Sequence, residues 1–133
     1  METESAVKAI AGLRTVIGAA AWLAPRMSGK SYGLDPSANP QSPYLGRLFG
    51  ARDVAMGIGT LQATGEARQQ WLKLGVGVDV ADALAAVAAG RAGYLHPVSA
   101  ALVFAPAVAG VVLGITALRG SGPGVQATPV GAA

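Results

Sequence analysis

Four long apolar stretches, separated by short polar or proline-rich breaks, organise this chain. "SAVKAIAGLRTVIGAAAWLA" runs from Ser5 to Ala24 and is stopped by Pro25. "PYLGRLFGARDVAMGIGTLQAT" runs from Pro43 to Thr64 and is stopped by Gly65. "ARQQWLKLGVGVDVADALAAVAAG" covers Ala67 to Gly90, and "HPVSAALVFAPAVAGVVLGITAL" covers His96 to Leu118. The last has no charge from Pro97 onward. Each stretch is about as long as the ~20 residues needed to cross a bilayer core. Backbone groups in lipid must be satisfied internally, so each stretch is predicted to be a helix. The breaks at Thr64–Ala67 and Arg91–Leu95 leave room only for tight reversals, which make antiparallel neighbours. The predicted fold is all-α: an antiparallel four-helix transmembrane bundle over residues 1–119, with helices at about 5–24, 43–64, 67–90 and 96–118. Pro106 is expected to kink the fourth helix.

Two segments lie outside this pattern. "PRMSGKSYGLDPSANPQS", residues 25–42, has three prolines, four serines and two glycines and no periodicity. It is too long for a plain turn, and reads either as a solvated linker or as a lid or binding segment. Residues 120–133, "GSGPGVQATPVGAA" with its last arginine just before, read as a disordered tail. An Ala19–Ala21 A-x-A offers a signal-peptidase pattern, but Glu2 and Glu4 precede it and Arg14 splits the apolar run. The first stretch is therefore read as a retained helix.

Composition strengthens the membrane reading. Charged residues make up 13% of the chain and hydrophobic residues 52%, against roughly 25% charged in ordinary soluble domains. So few charges cannot cover a water-facing surface. There is no cysteine, which excludes disulfides, thiolate chemistry and cysteine-ligated metals. His96 stands alone before Pro97 and reads as a helix N-terminus at the interface; no metal and no cofactor are expected. The net charge of +3 is dispersed, with no cluster suited to nucleic acid. Trp22, Trp71, Tyr44 and Tyr94 near helix ends read as interfacial belt residues. An even number of helices puts both termini on one side. Lys8, Arg68, Lys73 and Arg119 fall on that side and Arg26, Lys30, Arg47 and Arg91 on the other, so the positive-inside rule gives no direction. A multi-pass protein of the cell membrane with cytoplasmic termini is the working placement.

The remaining charges carry the chemistry. Arg14, Arg52, Asp53 and Asp79 fall at the centres of the first three helices, with Asp82 one turn beyond Asp79. Antiparallel packing places all five near the bilayer midplane, where a charge costs a few kcal/mol. Three of the chain's seven acidic residues are there. Asp79 and Asp82 share a small face with Gly75 and Ala86, opposite Val80, Leu84 and Val87. Asp53 lies on a stripe with Gly46, Gly50, Gly57, Thr60 and Thr64; Arg52 sits beside Phe49 and Met56, long enough to turn inward. Arg14 shares a face with Val7, Ala11, Gly18 and Ala21. These patterns predict a buried cluster of two arginines and three aspartates. With one carboxylate in excess and the pair Asp79/Asp82 one turn apart, the cluster is expected to hold a proton, or to bind a cation or a polar ligand group, near neutral pH.

An arginine in the first stretch, "GARDVAMGIG" in the second and "DVADAL" in the third resemble small bacterial four-helix membrane proteins of the DoxX-like families, over roughly Lys8 to Leu118. The resemblance implies a four-helix membrane fold. For the broader group it implies quinone-related redox roles or membership of membrane complexes, and hence a lipid-soluble partner; it assigns no functional residue.

Three functions compete on these residues. In the first, Arg14, Arg52, Asp53, Asp79 and Asp82 bind the polar head of a quinone- or isoprenoid-like molecule and exchange a proton. In the second, Asp79 and Asp82 are the catalytic acid and base of a membrane-embedded isomerase, cyclase or epoxide-opening enzyme, with arginine stabilising negative charge. In the third, the ion pairs only pin the bundle together in a structural subunit of a membrane complex. Proton-coupled transport is a further option, but four helices are few for alternating access without a dimer. The GxxxG pairs Gly46/Gly50 and Gly110/Gly114 offer close-packing faces, either to neighbouring helices or to a second copy in a homodimer.

Overall fold

The computed structural model describes residues 2–122. Among them are five helices and no strand: α1 (Thr3–Leu23), α2 (Pro25–Ser31), α3 (Ser42–Gln62), α4 (Gly65–Arg91) and α5 (Pro97–Gly120). Four of these are the long helices read from the apolar stretches, with ends shifted by a few residues. The fifth, α2, lies in the segment predicted as loop. Pro25 opens it from a first-turn position where its missing N–H is not needed. The chain then leaves α2 through Gly33, whose φ of +73° favours glycine. The segment between Gly33 and α3 is a compact turn in which Asp35 accepts from the Ser37 backbone N–H at 2.8 Å. The tail beyond Gly122 lies outside the described residues. α5 stays helical on both sides of Pro106.

Adjacent long helices run antiparallel and form a ring in the order α1, α3, α4, α5. α1/α3 and α4/α5 are closely packed pairs, and α3 meets α4 only sparsely. Glycine makes the tight contacts possible. A Cβ on Gly18 would stand 2.7 Å from the Gly50 carbonyl oxygen, and one on Gly50 would stand 2.9 Å from the Trp22 nitrogen. Gly46 faces Pro25 and the end of α1, while Gly110 and Gly114 face Asp79 and Val76 of α4. Both GxxxG pairs are thus taken up within the chain, and a homodimer through those faces would have to displace a neighbouring helix. Thr64, expected on the Asp53 stripe, lies beyond α3 as the N-cap residue of α4 and is exposed, because Gln62 ends the helix. Trp71 packs its ring on Gly59 of α3, whereas Trp22, Tyr44 and Tyr94 are exposed.

Few large apolar side chains are buried. The buried apolar set is small and made largely of alanine, whereas Leu48, Ile58, Val80, Leu84, Leu102, Phe104, Val108 and Val112 are all exposed along the middles of α3, α4 and α5. One apolar plug, formed by Ala6, Val7, Ile10, Leu72 and Ala117 with Leu113 and Leu118 against it, fills the end of the bundle nearest the chain termini. α1 and α5 are long and apolar enough to cross a membrane. α3 and α4, predicted as further spans, are long enough but do not meet that composition, because Arg52, Asp53, Asp79, Asp82 and several glycines lower their apolar average.

Candidate functional site

The midpoints of α1, α3 and α4 fall on Leu13, Arg52 and Val78, next to the charged residues. The bundle therefore brings all five predicted side chains to one level. α1 and α4 face each other across the interior without backbone contact. Arg14 spans that gap: its Nη2 donates to Asp79 Oδ2, and its Nη1 lies 3.9 Å from Asp53 Oδ1. Arg52 Nη2 lies 3.4 Å from the same Asp53 oxygen. Arg52 also grips Asp82 with two bonds, Nη1 to Oδ1 at 3.2 Å and Nη2 to Oδ2 at 2.6 Å. The result is one line of alternating sign, Asp79–Arg14–Asp53–Arg52–Asp82, drawn from three helices.

Two glycines make room for it. A Cβ on Gly75 would stand 2.8 Å from Arg14 Nη2, and a Cβ on Gly110 would collide with the Asp79 carboxylate. The line also has a buried end and a more exposed one. The side chains of Arg14, Asp53 and Asp79 are 6%, 9% and 8% exposed, but those of Arg52 and Asp82 are 36% and 28% exposed. The latter pair sits in the sparse seam between α3 and α4. There the Arg52 guanidinium lies 4.8 Å from the centre of the Phe49 ring, a cation–π contact that orients it. No fully buried side-chain nitrogen or oxygen among the described residues lacks a hydrogen-bond partner. Three carboxylates facing two guanidiniums leave one negative charge, which a single proton or cation would neutralise.

The charges border open space. A cleft of about 450 Å³ is lined by Arg14, Asp53, Asp79 and Asp82 on one side and by apolar groups such as Leu13, Ile17 and Val103 on the other. A second cavity of about 500 Å³ lies beneath α2 and the 33–41 segment, lined by Tyr32, Asp35, Leu45 and Ser99 among others. The two share Asn39, Phe49, Tyr94, Leu95, Val103 and Pro106 in their walls. The segment read as either linker or lid therefore roofs a chamber that adjoins the charged site across these shared residues.

The residues of that roof are the ones the apolar and charge patterns do not single out. Tyr32 is half-buried there; burial, and then the Asp53 carboxylate, push its phenol above the ordinary tyrosine value. Ser99 is buried and donates to the Gly33 carbonyl at 3.0 Å. Its only sequence signal is a hydroxyl near the start of an otherwise apolar helix. His96 is the N-cap of α5, its Nδ1 accepting from the Val98 backbone N–H at 3.2 Å, as expected of a residue placed before Pro97. Among the described residues no group of His, Asp and Glu side chains is arranged to hold a metal ion. No protein-family model, curated protein or solved structure matches this chain.

Proposed function

We propose that the chain is a multi-pass membrane protein with all four long helices in the bilayer of the cell membrane, its termini on the cytoplasmic side. In this reading its ion line binds the polar head of a quinone- or isoprenoid-like lipid-soluble molecule, and one carboxylate exchanges a proton. The observation that carries the binding part is the 450 Å³ cleft, within the roughly 300–1,000 Å³ of small-molecule sites, whose walls combine four of the five charges with apolar side chains. Arginine N–H groups suit a ligand oxygen, the apolar wall suits a ring or chain, and the unbalanced carboxylate supplies a proton site. The exposed apolar faces of α3 and α4 support four spans, because the charges at their centres are paired with one another and with Arg14. A relation to the DoxX-like families belongs to this proposal and rests on the residues of the ion line.

Two measurements test it. The protein should stay with the membrane pellet through an alkaline carbonate wash; release into the supernatant would overturn the membrane part. Purified in mild detergent and extracted with organic solvent, it should yield an apolar molecule with an oxygen-bearing head by mass spectrometry. Asp82→Asn should remain folded and lose that molecule.

Two observations keep the other readings in view. Asp79 and Asp82 both border the cleft, as an acid–base pair acting on a bound substrate must. The complete pairing of fully buried polar atoms is what a purely structural network requires. A wild-type protein free of any bound apolar molecule, together with an Asp82→Asn variant that does not fold, would establish the structural reading.

A further inference from the structure

The interior is closed at one end and open at the other. On the side of the chain termini, the buried plug of Ala6, Val7, Ile10, Leu72 and Ala117 fills the interior, and only Ile10 among these residues lines either of the two cavities. Ile10 belongs both to that plug and to the floor of the charged cleft. On the opposite side Phe49 and Val103 stand between the cleft and the chamber under α2 and line both, and the chamber's walls include polar groups: Tyr32, Asp35, Asn39, His96 and Ser99. Asp35, Asn39, Tyr94 and His96 at this end are exposed. The 33–41 segment that roofs the chamber is tied to α5 by one side-chain hydrogen bond, Ser99 to the Gly33 carbonyl. At Gly33 the strand of roof comes so close that a Cβ there would stand 2.6 Å from Ser99 Oγ.

We propose that the chamber under α2 is an aqueous half-channel: water and protons reach the ion line from the α2 end of the bundle only, and the Ser99–Gly33 bond latches its roof. The inference rests on the membrane reading above but not on the identity of any ligand. It gives the proton proposed for the carboxylates a direction. The exchange takes place with the water on one side of the bilayer, while a lipid-soluble molecule has the α3/α4 seam available beside Arg52 and Asp82. The groups a proton meets along the way are Asp35 and His96 near the mouth, Tyr32 in the roof, and Asp82, Asp53 and Asp79 at the inner end. Arg52 and Arg14 hold those three carboxylates.

The absence of native cysteine permits a direct test. Ala107 and Ala117 lie on the same helix and are 7% and 0% exposed, but the first lines the cleft and the second sits in the plug. Ala107→Cys and Ala117→Cys are made separately, together with Asn39→Cys at the mouth. Each full-length protein is placed in lipid nanodiscs, which leave both membrane faces open to water. The probe is the cationic, membrane-impermeant reagent 2-(trimethylammonium)ethyl methanethiosulfonate, and intact mass reports its attachment.

The half-channel predicts that the cysteines at 39 and 107 are modified and the one at 117 is not. Adding Ser99→Ala to Ala107→Cys should speed modification about fivefold, the effect of losing one ordinary hydrogen bond from the closed state. Equal rates at 107 and 117, or modification at 39 alone, would overturn the channel. An unchanged rate in the Ser99→Ala background would remove the latch. These outcomes separate from those of the ligand reading. A protein that carries no apolar molecule can still show the 39/107/117 pattern, and one that carries it without the pattern exchanges its proton by another route.

Discussion

The two ends of the ion line should differ sharply in what their loss costs. Asp79→Asn removes the charge that faces Arg14, whose side chain is 6% exposed; Asp53, at 3.9 Å, is then its nearest remaining carboxylate. Stranding one member of a buried ion pair typically costs ~3–5 kcal/mol. Asp82→Asn breaks two bonds to Arg52, but that pair is 36% and 28% exposed and Asp82 lines the cleft; with water in that cleft, as the half-channel requires, such a pair contributes roughly 0–1 kcal/mol. Arg52 also keeps its contact with Asp53 and its place over Phe49. The expected gap between the variants is therefore about 2–5 kcal/mol in the direction of Asp79. With ~4 °C per kcal/mol for a chain between the size classes of roughly 60–100 and 150–250 residues, that is a difference in Tm of on the order of 10 °C. Thermal unfolding in one detergent, followed by tryptophan fluorescence, reads it directly. Equal melting temperatures would refute the reasoning, since they would mean that the depth of the pair does not govern its worth. A larger loss in Asp82→Asn would reverse it and make the α3/α4 seam the structural tie of the bundle.

Two further outcomes follow from the same geometry. Gly110→Ala places a methyl group on the Asp79 carboxylate; overpacking of this kind costs about 1–3 kcal/mol, so the variant should melt lower than wild type, and an unchanged Tm would show that α5 can move aside. Tyr32 loses its proton less readily folded than unfolded, through burial and then the Asp53 carboxylate. The unfolded chain therefore gives up that proton first as pH rises past about 10, the folded state is penalised above that pH, and stability should fall there. Tyr32→Phe should flatten this part of the pH profile measured by chemical unfolding, and an identical slope in the variant would remove Tyr32 as its source.

How much of this is legible in the sequence depends on scarcity. In a chain with seventeen ordinary charges, ten basic and seven acidic, five near helix centres stand out, and antiparallel helices of similar length must bring them to one depth. The faces are legible for the same reason: Gly75, Asp79 and Ala86 are buried and Val80, Leu84 and Val87 are exposed, as their spacing predicts, whereas Asp82, expected on the same face, is only partly buried because it turns to Arg52 in the α3/α4 seam. The order of the ion line is not legible. Nothing in residue spacing says that Arg14 reaches Asp79 across the bundle while Arg52 takes Asp82, since that depends on which helices are diagonal. The chamber is less legible still. Residues 25–42 lack periodicity because a short helix and an Asx turn, each held by its own backbone bonds, fold over the bundle end without an apolar stripe of their own. Gly75 and Gly110 read as packing positions, and only coordinates show that what they admit is a guanidinium and a carboxylate.

The apparent conflict over α3 and α4 has the same origin. An average over a helix cannot distinguish a charge that faces lipid from one that faces another charge. In α4, Asp79 is buried against Arg14 while Val80 and Leu84, one and five residues on, are exposed. In α3, Asp53 is buried between two arginines while Leu48 and Ile58 are exposed. A helix whose polar groups are neutralised within the protein presents lipid with its apolar face alone, so the cost of crossing is set by that face and by the strength of the ion line. In the proposed four-span arrangement the two properties are then one: the pairing that forms the site is also what would allow α3 and α4 to enter the bilayer. Removing Arg14 would on this view leave Asp79 without its guanidinium and weaken the insertion of a helix that Arg14 does not itself belong to.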